Sequence, residues 1–510
     1  MAYSKLLTKS KYLIGLQCPK YLWTKYNEPD KIPDFDLATQ FRFQQGQLVG
    51  DLAKRLYPQG IDIPKTAFMT NINQTKELLK QRNSLFEAGI LTNNLYSRID
   101  ILNPAEDDSW DIIEVKSTTR VKKEHINDVA FQRYCLEKSG LKIKNCFLVH
   151  INNEYIKHGE IDPLSLFSIE NISYEVEENI NTIEENIANM FKTIDSKKCP
   201  DTPIGQQCDK PYQCPLKYIC WSFLPTGSNV FNLYRGKTLA FDLLDMGILD
   251  IKDIPDDFIL SEKQTIQLKS YKEQTPYVNK EALREFVSKL EYPLYFLDFE
   301  TINPAIPIYD LSRPYEYIPF QYVLYVIREE GVKPDVYAYL AQGEEDPRIE
   351  VLKNLKKLLG LRGSIIAYNA NFEINVLRKS SEVFTQYQDW FDEIESRFSD
   401  LLMPFRSFFY HHPSQQGSNS LKKVLPVLTK DSYKDMEIAD GGEASIQYYT
   451  VTFNKDTDEK KRRDIYASLE KYCDLDTRGM VDILKRLQEE GGSYGRIYPD
   501  NHINRQQREC

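Results

Sequence analysis

Five residues in the C-terminal half have types and spacing suited to holding metal ions against a phosphodiester: Asp298, Glu300, Glu373, Tyr472 and Asp476. In PLYFLDFET, strand alternation puts Asp298 and Glu300 on one face and Phe299 on the other. Two acids closing an apolar strand are costly beside a core unless a cation compensates them; the plain alternative is that both point into solvent at the strand end. AYNANFEINVL runs from an apolar strand through Asn369 into a helix that carries Glu373. In YCDLDTRGM, Tyr472 and Asp476 are four apart on a helix and share a face, while Asp474 points elsewhere. Four acids from three segments can hold two divalent ions about 3.5–4 Å apart, the geometry used for in-line attack on phosphodiesters. Oxygen ligands suit Mg²⁺ or Mn²⁺, and Tyr472 is placed to orient the attacking water.

A second constellation lies in the N-terminal half. Asp100 sits in SRIDIL, and Glu114 and Lys116 alternate on one face of WDIIEVKSTTRV, with Gln132 and Tyr134 on the helix that follows. Such acids can ligate metal while the lysine stabilises charge on the attacked phosphate. A lone Glu-x-Lys on a strand is common and means nothing by itself. Of nine cysteines, Cys208, Cys214 and Cys220 cluster and Cys18 stands beside Pro19, whereas Cys135, Cys146, Cys199, Cys473 and Cys510 are scattered. That pattern favours a metal or cluster site over disulfides, with unligated core cysteines as the alternative.

The C-terminal motifs, over roughly Pro293 to Glu490, resemble those of the DnaQ-like exonuclease superfamily, named DEDD for its four acids, in its tyrosine-type version. The resemblance implies a ribonuclease-H-like fold and 3′–5′ exonuclease activity, with Asp298, Glu300, Glu373 and Asp476 as metal ligands and Tyr472 as their partner. This chain departs from the pattern at Glu373, where Asp is usual. The stretch from about Leu6 to Trp221 is similar to RecB-like nucleases of the PD-(D/E)XK (restriction-endonuclease-like) fold. That likeness implies a second nuclease site at Asp100, Glu114, Lys116 and Gln132, with metal on the two acids. It also implies a [4Fe–4S] cluster on Cys18, Cys208, Cys214 and Cys220; the same four thiolates suit zinc. The first-helix ligand usual in that family falls near Gly50, with Gln47 and Asp51 as possible substitutes. Single-stranded DNA is the substrate this combination favours, with RNA as the rival and a catalytically inactive nucleic-acid-binding adaptor in repair or defence as a reading of another class.

The elements that must position these residues form an α/β pattern. Helices over Tyr12–Tyr26 and Phe41–Leu56 precede strands at Asn94–Leu102 and Trp110–Lys116, a helix at His125–Ser139, a strand at Cys146–Ile151 and a polar helix at Glu175–Ile194. Past Tyr292 come a strand, a hairpin (FQYVLYVI and VYAYLA), a helix at Pro347–Leu359, a strand at Ser364–Tyr368 and a last helix near Arg463–Glu490. Three regions follow: 1–225, a helical connector at 226–290, and 291–510. At 510 residues and 41% hydrophobic content the chain can fill several cores. It lacks a run of about 20 apolar residues or a signal peptide, so we expect a cytoplasmic protein without membrane contact. The net charge of −10 is a weak argument against nucleic acid, because metal-binding acids contribute to it. Basic groups at Arg120, Lys122 and Lys123, at Lys197 and Lys198, and at Lys422 and Lys423 read first as solvated faces.

Overall fold

The computed structural model describes residues 5–65 and 67–492, so Cys510 lies outside the described residues. It is a mixed α/β protein of two compact units. One comprises Met1–Phe223 and Pro304–Tyr315, the other Leu224–Asn303 and Glu316–Cys510. Among the described residues, no helix is long and apolar enough to cross a membrane.

The first unit is built on strands β1 (Leu7–Thr8), β2 (Ile61–Asp62), β3 (Leu85–Thr92), β4 (Leu95–Pro104), β5 (Ser109–Lys116), β6 (Lys142–Ile151) and β7 (Phe167–Asn171). Their order is β2-β3-β4-β5-β6-β7, with β1 added parallel to β4. β3, β4 and β5 form an antiparallel meander. Asn93 and Asn94 both take left-handed backbone at the β3–β4 turn, as a two-residue hairpin loop requires. The helix Lys123–Lys138 then carries the chain to β6, parallel to β5. β3 was not anticipated: its residues Leu85 to Ile90 are all buried, so the polar–apolar alternation that marks a half-exposed strand is missing. At the N-terminus the expected helix divides into Lys9–Gln17 and Pro19–Asn27. Pro19 occupies the first turn of the second helix, and Cys18 between them is extended.

The second unit holds β8 (Tyr277–Val278), β9 (Leu294–Ile302), β10 (Ile318–Ile327), β11 (Asp335–Leu340), β12 (Ile365–Ala367), β13 (Phe398–Asp400) and β14 (Tyr410–His411). The main sheet runs β11-β10-β9-β12-β13, while β8 and β14 pair apart. β9, β10 and β11 are antiparallel; β12 is parallel to β9 and β13. The long helix Glu459–Gly491 packs on β9 and β10. The region 226–290, read as a connector, belongs to this unit and has an apolar cluster of its own, with Val230, Leu243, Ile251 and Leu268 at its centre.

Fully buried Phe320 on β10 stacks face to face on Tyr448 of the helix Gly441–Phe453, ring centroids 3.7 Å apart. This contact fixes β10 beside β9. Phe320→Ala should destabilise the second unit by about 3–5 kcal/mol, read as a lower denaturant midpoint in chemical unfolding.

Candidate metal centre and its counterpart in the first unit

β9 is the central strand of the second sheet, so its residues Leu294 to Leu297 are buried, and the acids that follow stay in that environment. Asp298 and Glu300 share a face, and Glu300 is buried. From β12 the chain passes through Asn369, in left-handed backbone, into the helix Asn371–Val383, whose first turn holds buried Glu373. The helix Glu459–Gly491 brings Tyr472, Cys473 and Asp476, all buried. Asp474 points away and accepts a 2.8 Å hydrogen bond from Tyr325.

The Asp298, Glu300 and Cys473 ligand atoms all lie within 4.8 Å of one another. Burial, then the charge of Asp476, pushes Asp298 well above the carboxylate range; burial, Asp298 and Asp476 do the same to Glu300. Glu373 is raised by burial and by Asp298, and its Oε2 is buried without a hydrogen-bond partner. Asp476 is lifted by burial to about 6, against hydrogen bonds from Tyr433 and Tyr472. Half-buried Lys422 acts on these acids, favouring the charged forms of Glu300 and Asp476. Its ammonium lies over the Tyr472 and Tyr433 rings, 5.4 and 6.0 Å from their centroids. This lysine of the pair read as a solvated face therefore turns toward the acids. An orphaned carboxylate oxygen and mutually raised acids are what a divalent ion would satisfy, so the donor set fits Mg²⁺ or Mn²⁺.

Two members of this site were not foreseen. Tyr433 lies in a polar stretch with no periodic signal. Cys473 counted among the scattered cysteines; burial and the neighbouring acids push its thiol well above its ordinary value, and its Sγ lies 3.7 Å from Asp298 Oδ2.

The first unit assembles Asp100, Glu114, Lys116 and Gln132, and adds Lys9 and Asp128. Lys116 Nζ donates to Glu114 (2.6 Å) and Asp128 (2.7 Å), and Lys9 Nζ donates to both Glu114 oxygens (2.9 and 3.2 Å). Gln132 donates to Glu114 at 2.6 Å, and the Val115 amide to Asp100 at 2.9 Å. Burial alone would raise Glu114, yet Lys116 and Lys9 hold it well below its ordinary value. Asp100 rises to about 6 through burial and the charge of Glu114. Asp128 lies four residues before Gln132 on one helix, a spacing that could have flagged it. Around Gly50, Gln47 is hydrogen-bonded with Asp51 and Lys65, and Asp51 pairs with Lys54, so both side chains are engaged away from the acids.

Cys18, Cys208, Cys214 and Cys220 line one small cavity with Thr202, Pro203 and Leu216. Tetrahedral zinc with bonds of about 2.3 Å gathers its sulfurs to about 3.8 Å. Among the described residues only the Asp298 group has three ligand atoms within 4.8 Å, so no three of these thiols approach that closely.

Residues 295–420 match a family model described as a domain of unknown function, DUF2779, which spans the strand with Asp298 and Glu300 and the helix with Glu373. The chain is 26% identical over 256 residues to "Uncharacterized protein UU173" of Ureaplasma parvum, covering 44% of this chain and 37% of that protein. It is 26% identical over 216 residues to "Uncharacterized protein MG366 homolog" of Mycoplasma pneumoniae, covering 38% and 32%. The matches thus span about a third of each relative's length.

The four raised carboxyls carry a testable sign. The folded chain keeps protons that the unfolded chain has released, so their stabilising contribution is full below the ordinary carboxylate range, about pH 4. It is lost as pH rises through the folded values, about 6 for Asp476. Metal-free protein should therefore melt at a lower temperature at about pH 8 than at about pH 6. Asp298→Asn should raise the melting temperature at the higher pH, and Mn²⁺ should stabilise wild type but not this variant. Differential scanning fluorimetry in chelator and in Mn²⁺ reads all three.

Proposed function

We propose that the second unit is a metal-dependent 3′–5′ exonuclease acting on single-stranded nucleic acid, DNA in preference to RNA. The observation that carries this reading is that half-buried Asp298 and buried Glu300, Glu373 and Asp476 act electrostatically on one another, with no ion pair within 4.0 Å to any of them among the described residues. Such a group calls for a dication. The strand order, with the first acids on the central strand and the last on a helix packed across it, is the arrangement expected of a ribonuclease-H-like domain, and it supports the resemblance to DnaQ-like exonucleases. The choice of DNA and of the 3′ end rests on that resemblance.

Asp298, Glu300, Glu373 and Asp476 would hold the ions. Bound divalent ions polarise the phosphate and lower the pKa of attacking water. Tyr433 and Tyr472 fix Asp476 in one orientation, and Cys473 does the same for Asp298. Lys422, held over aromatic rings, supplies a cation that can turn to the scissile phosphate as its charge grows. The long arm of Glu373 starts from the first turn of its helix, where an acid is favoured. In the first unit, the cavity with four cysteines supports an iron–sulfur cluster that joins the N-terminal helices to the segment 208–220.

End-labelled single- and double-stranded DNA and RNA, incubated with Mg²⁺ or Mn²⁺, test the activity. Asp298→Asn should abolish 3′ trimming, whereas Tyr472→Phe and Lys422→Met should each lower kcat by roughly 10²-fold. Trimming by Asp298→Asn at the wild-type rate would refute the assignment. Protein purified without oxygen should be brown and contain iron, and Cys214→Ser should bleach it; a colourless protein with stoichiometric zinc would replace the cluster by a mononuclear site.

A further inference from the structure

The acids of the first unit stand in a different electrostatic position. Glu114 and Asp128 are almost fully buried, and Asp100 is partly buried. Each has a donor. Both Glu114 oxygens receive Lys9, one also receives Lys116 and the other Gln132. Asp128 receives Lys116 on one oxygen and Gln132 on the other. The Val115 amide holds Asp100 Oδ2. The Lys9 ammonium lies 3.8 Å from Asp100 Oδ1 and 4.0 Å from Asp128 Oδ1, besides its two contacts to Glu114. It therefore sits among all three acids, closest to Glu114, and puts a positive charge between Asp100 and Glu114 where a shared cation would have to compete with it.

The backbone puts it there deliberately. Leu7 and Thr8 pair with Leu95 and Tyr96 of β4, and buried Leu7 anchors that pairing. Thr8 caps the helix Lys9–Gln17, so Lys9 is its first residue. A lysine at a helix N-terminus is opposed by the macrodipole, and its position there is offset by the three acids it faces. Three carboxylates with two ammonium groups leave one formal negative charge, against four carboxylates without an ion pair in the second unit.

We infer that Lys9 fills the cation position of the first unit's centre, so that this unit has a lysine-neutralised site and contributes no metal-dependent cleavage. The inference is independent of the reading of the second unit, because it concerns ion binding at Glu114 alone.

The test is a Mn²⁺ titration of the full chain carrying Asp298→Asn and Glu300→Gln, with free ion read by electron paramagnetic resonance. In that background we expect no stoichiometric ion that depends on Glu114. Adding Lys9→Met should create one Mn²⁺ per chain, removed again by Glu114→Gln, whereas Lys9→Arg should create none. Any residual binding at the second unit is recognised by its indifference to Glu114→Gln. A stoichiometric ion lost on Glu114→Gln while Lys9 is present overturns the inference, and so does a folded Lys9→Met chain that still takes none. Circular dichroism reports folding; should Lys9→Met not fold, the Lys9-containing arms decide alone.

Discussion

Negative charge confined without a counter-ion is the constraint on which the second unit turns. Two like charges within 4.8 Å repel by on the order of 3.5 kcal/mol at an effective dielectric of about 20. Ionised together, Asp298 and Glu300 would meet that condition; burial and neighbouring acids instead raise both carboxyls, and Glu373 and Asp476 are raised likewise. The fold tolerates the arrangement because β9 is flanked on both edges, β10 is locked by the Phe320–Tyr448 stack, and the long helix closes over the face that bears the acids. Side chains that could have relieved the repulsion by turning outward are held in place instead. Tyr433, Tyr472 and Cys473 donate hydrogen bonds but no charge, so they orient the acids without neutralising them.

The first unit resolves the same problem by a different means. Its acids also crowd one face of a sheet, but lysines from a strand and from the start of a helix enter among them. Charge compensation from within the chain leaves a centre in which each acid has a donor, although the buried Gln132 Oε1 has no partner. Two acid clusters of similar composition thus differ in what they lack: one lacks positive charge, and the other has most of it already.

Much of this was legible in the sequence where a short period links residues to a face. Alternation gave Asp298 with Glu300 and Glu114 with Lys116, and the four-residue helical spacing gave Tyr472 with Asp476. Most strands and helices flanking the sites appear near the expected positions. What escaped has a physical reason in each case. β3 is buried on both faces and so shows no alternation, although the Asn93–Asn94 turn could have announced the hairpin. The division of the first helix follows from Pro19, whose steric effect on the preceding residue makes Cys18 extended. Lys9 and Tyr433 reach their sites through long-range pairing and packing, which leave no local pattern. Asp128 had such a pattern and was passed over.

The route of the chain between β9 and β10 has an effect on how the protein must be made. After Ile302 the polypeptide leaves the second unit, contributes Pro304–Tyr315 to the first, and returns at Glu316. In that excursion Asp310 pairs with Lys157 at 2.7 Å, and the Ala305 amide donates to Gln45. The first unit is therefore not contiguous. A ribosome that has released residues 1–223 has not yet supplied its last piece, and domains ordinarily fold in order as they emerge, at about 5–20 residues per second. The first unit must wait for nearly a hundred further residues, including the strand that carries Asp298 and Glu300, before its structure is complete. Maturation of the two halves is thereby ordered in time: neither can be excised as a single uninterrupted piece without taking part of the other.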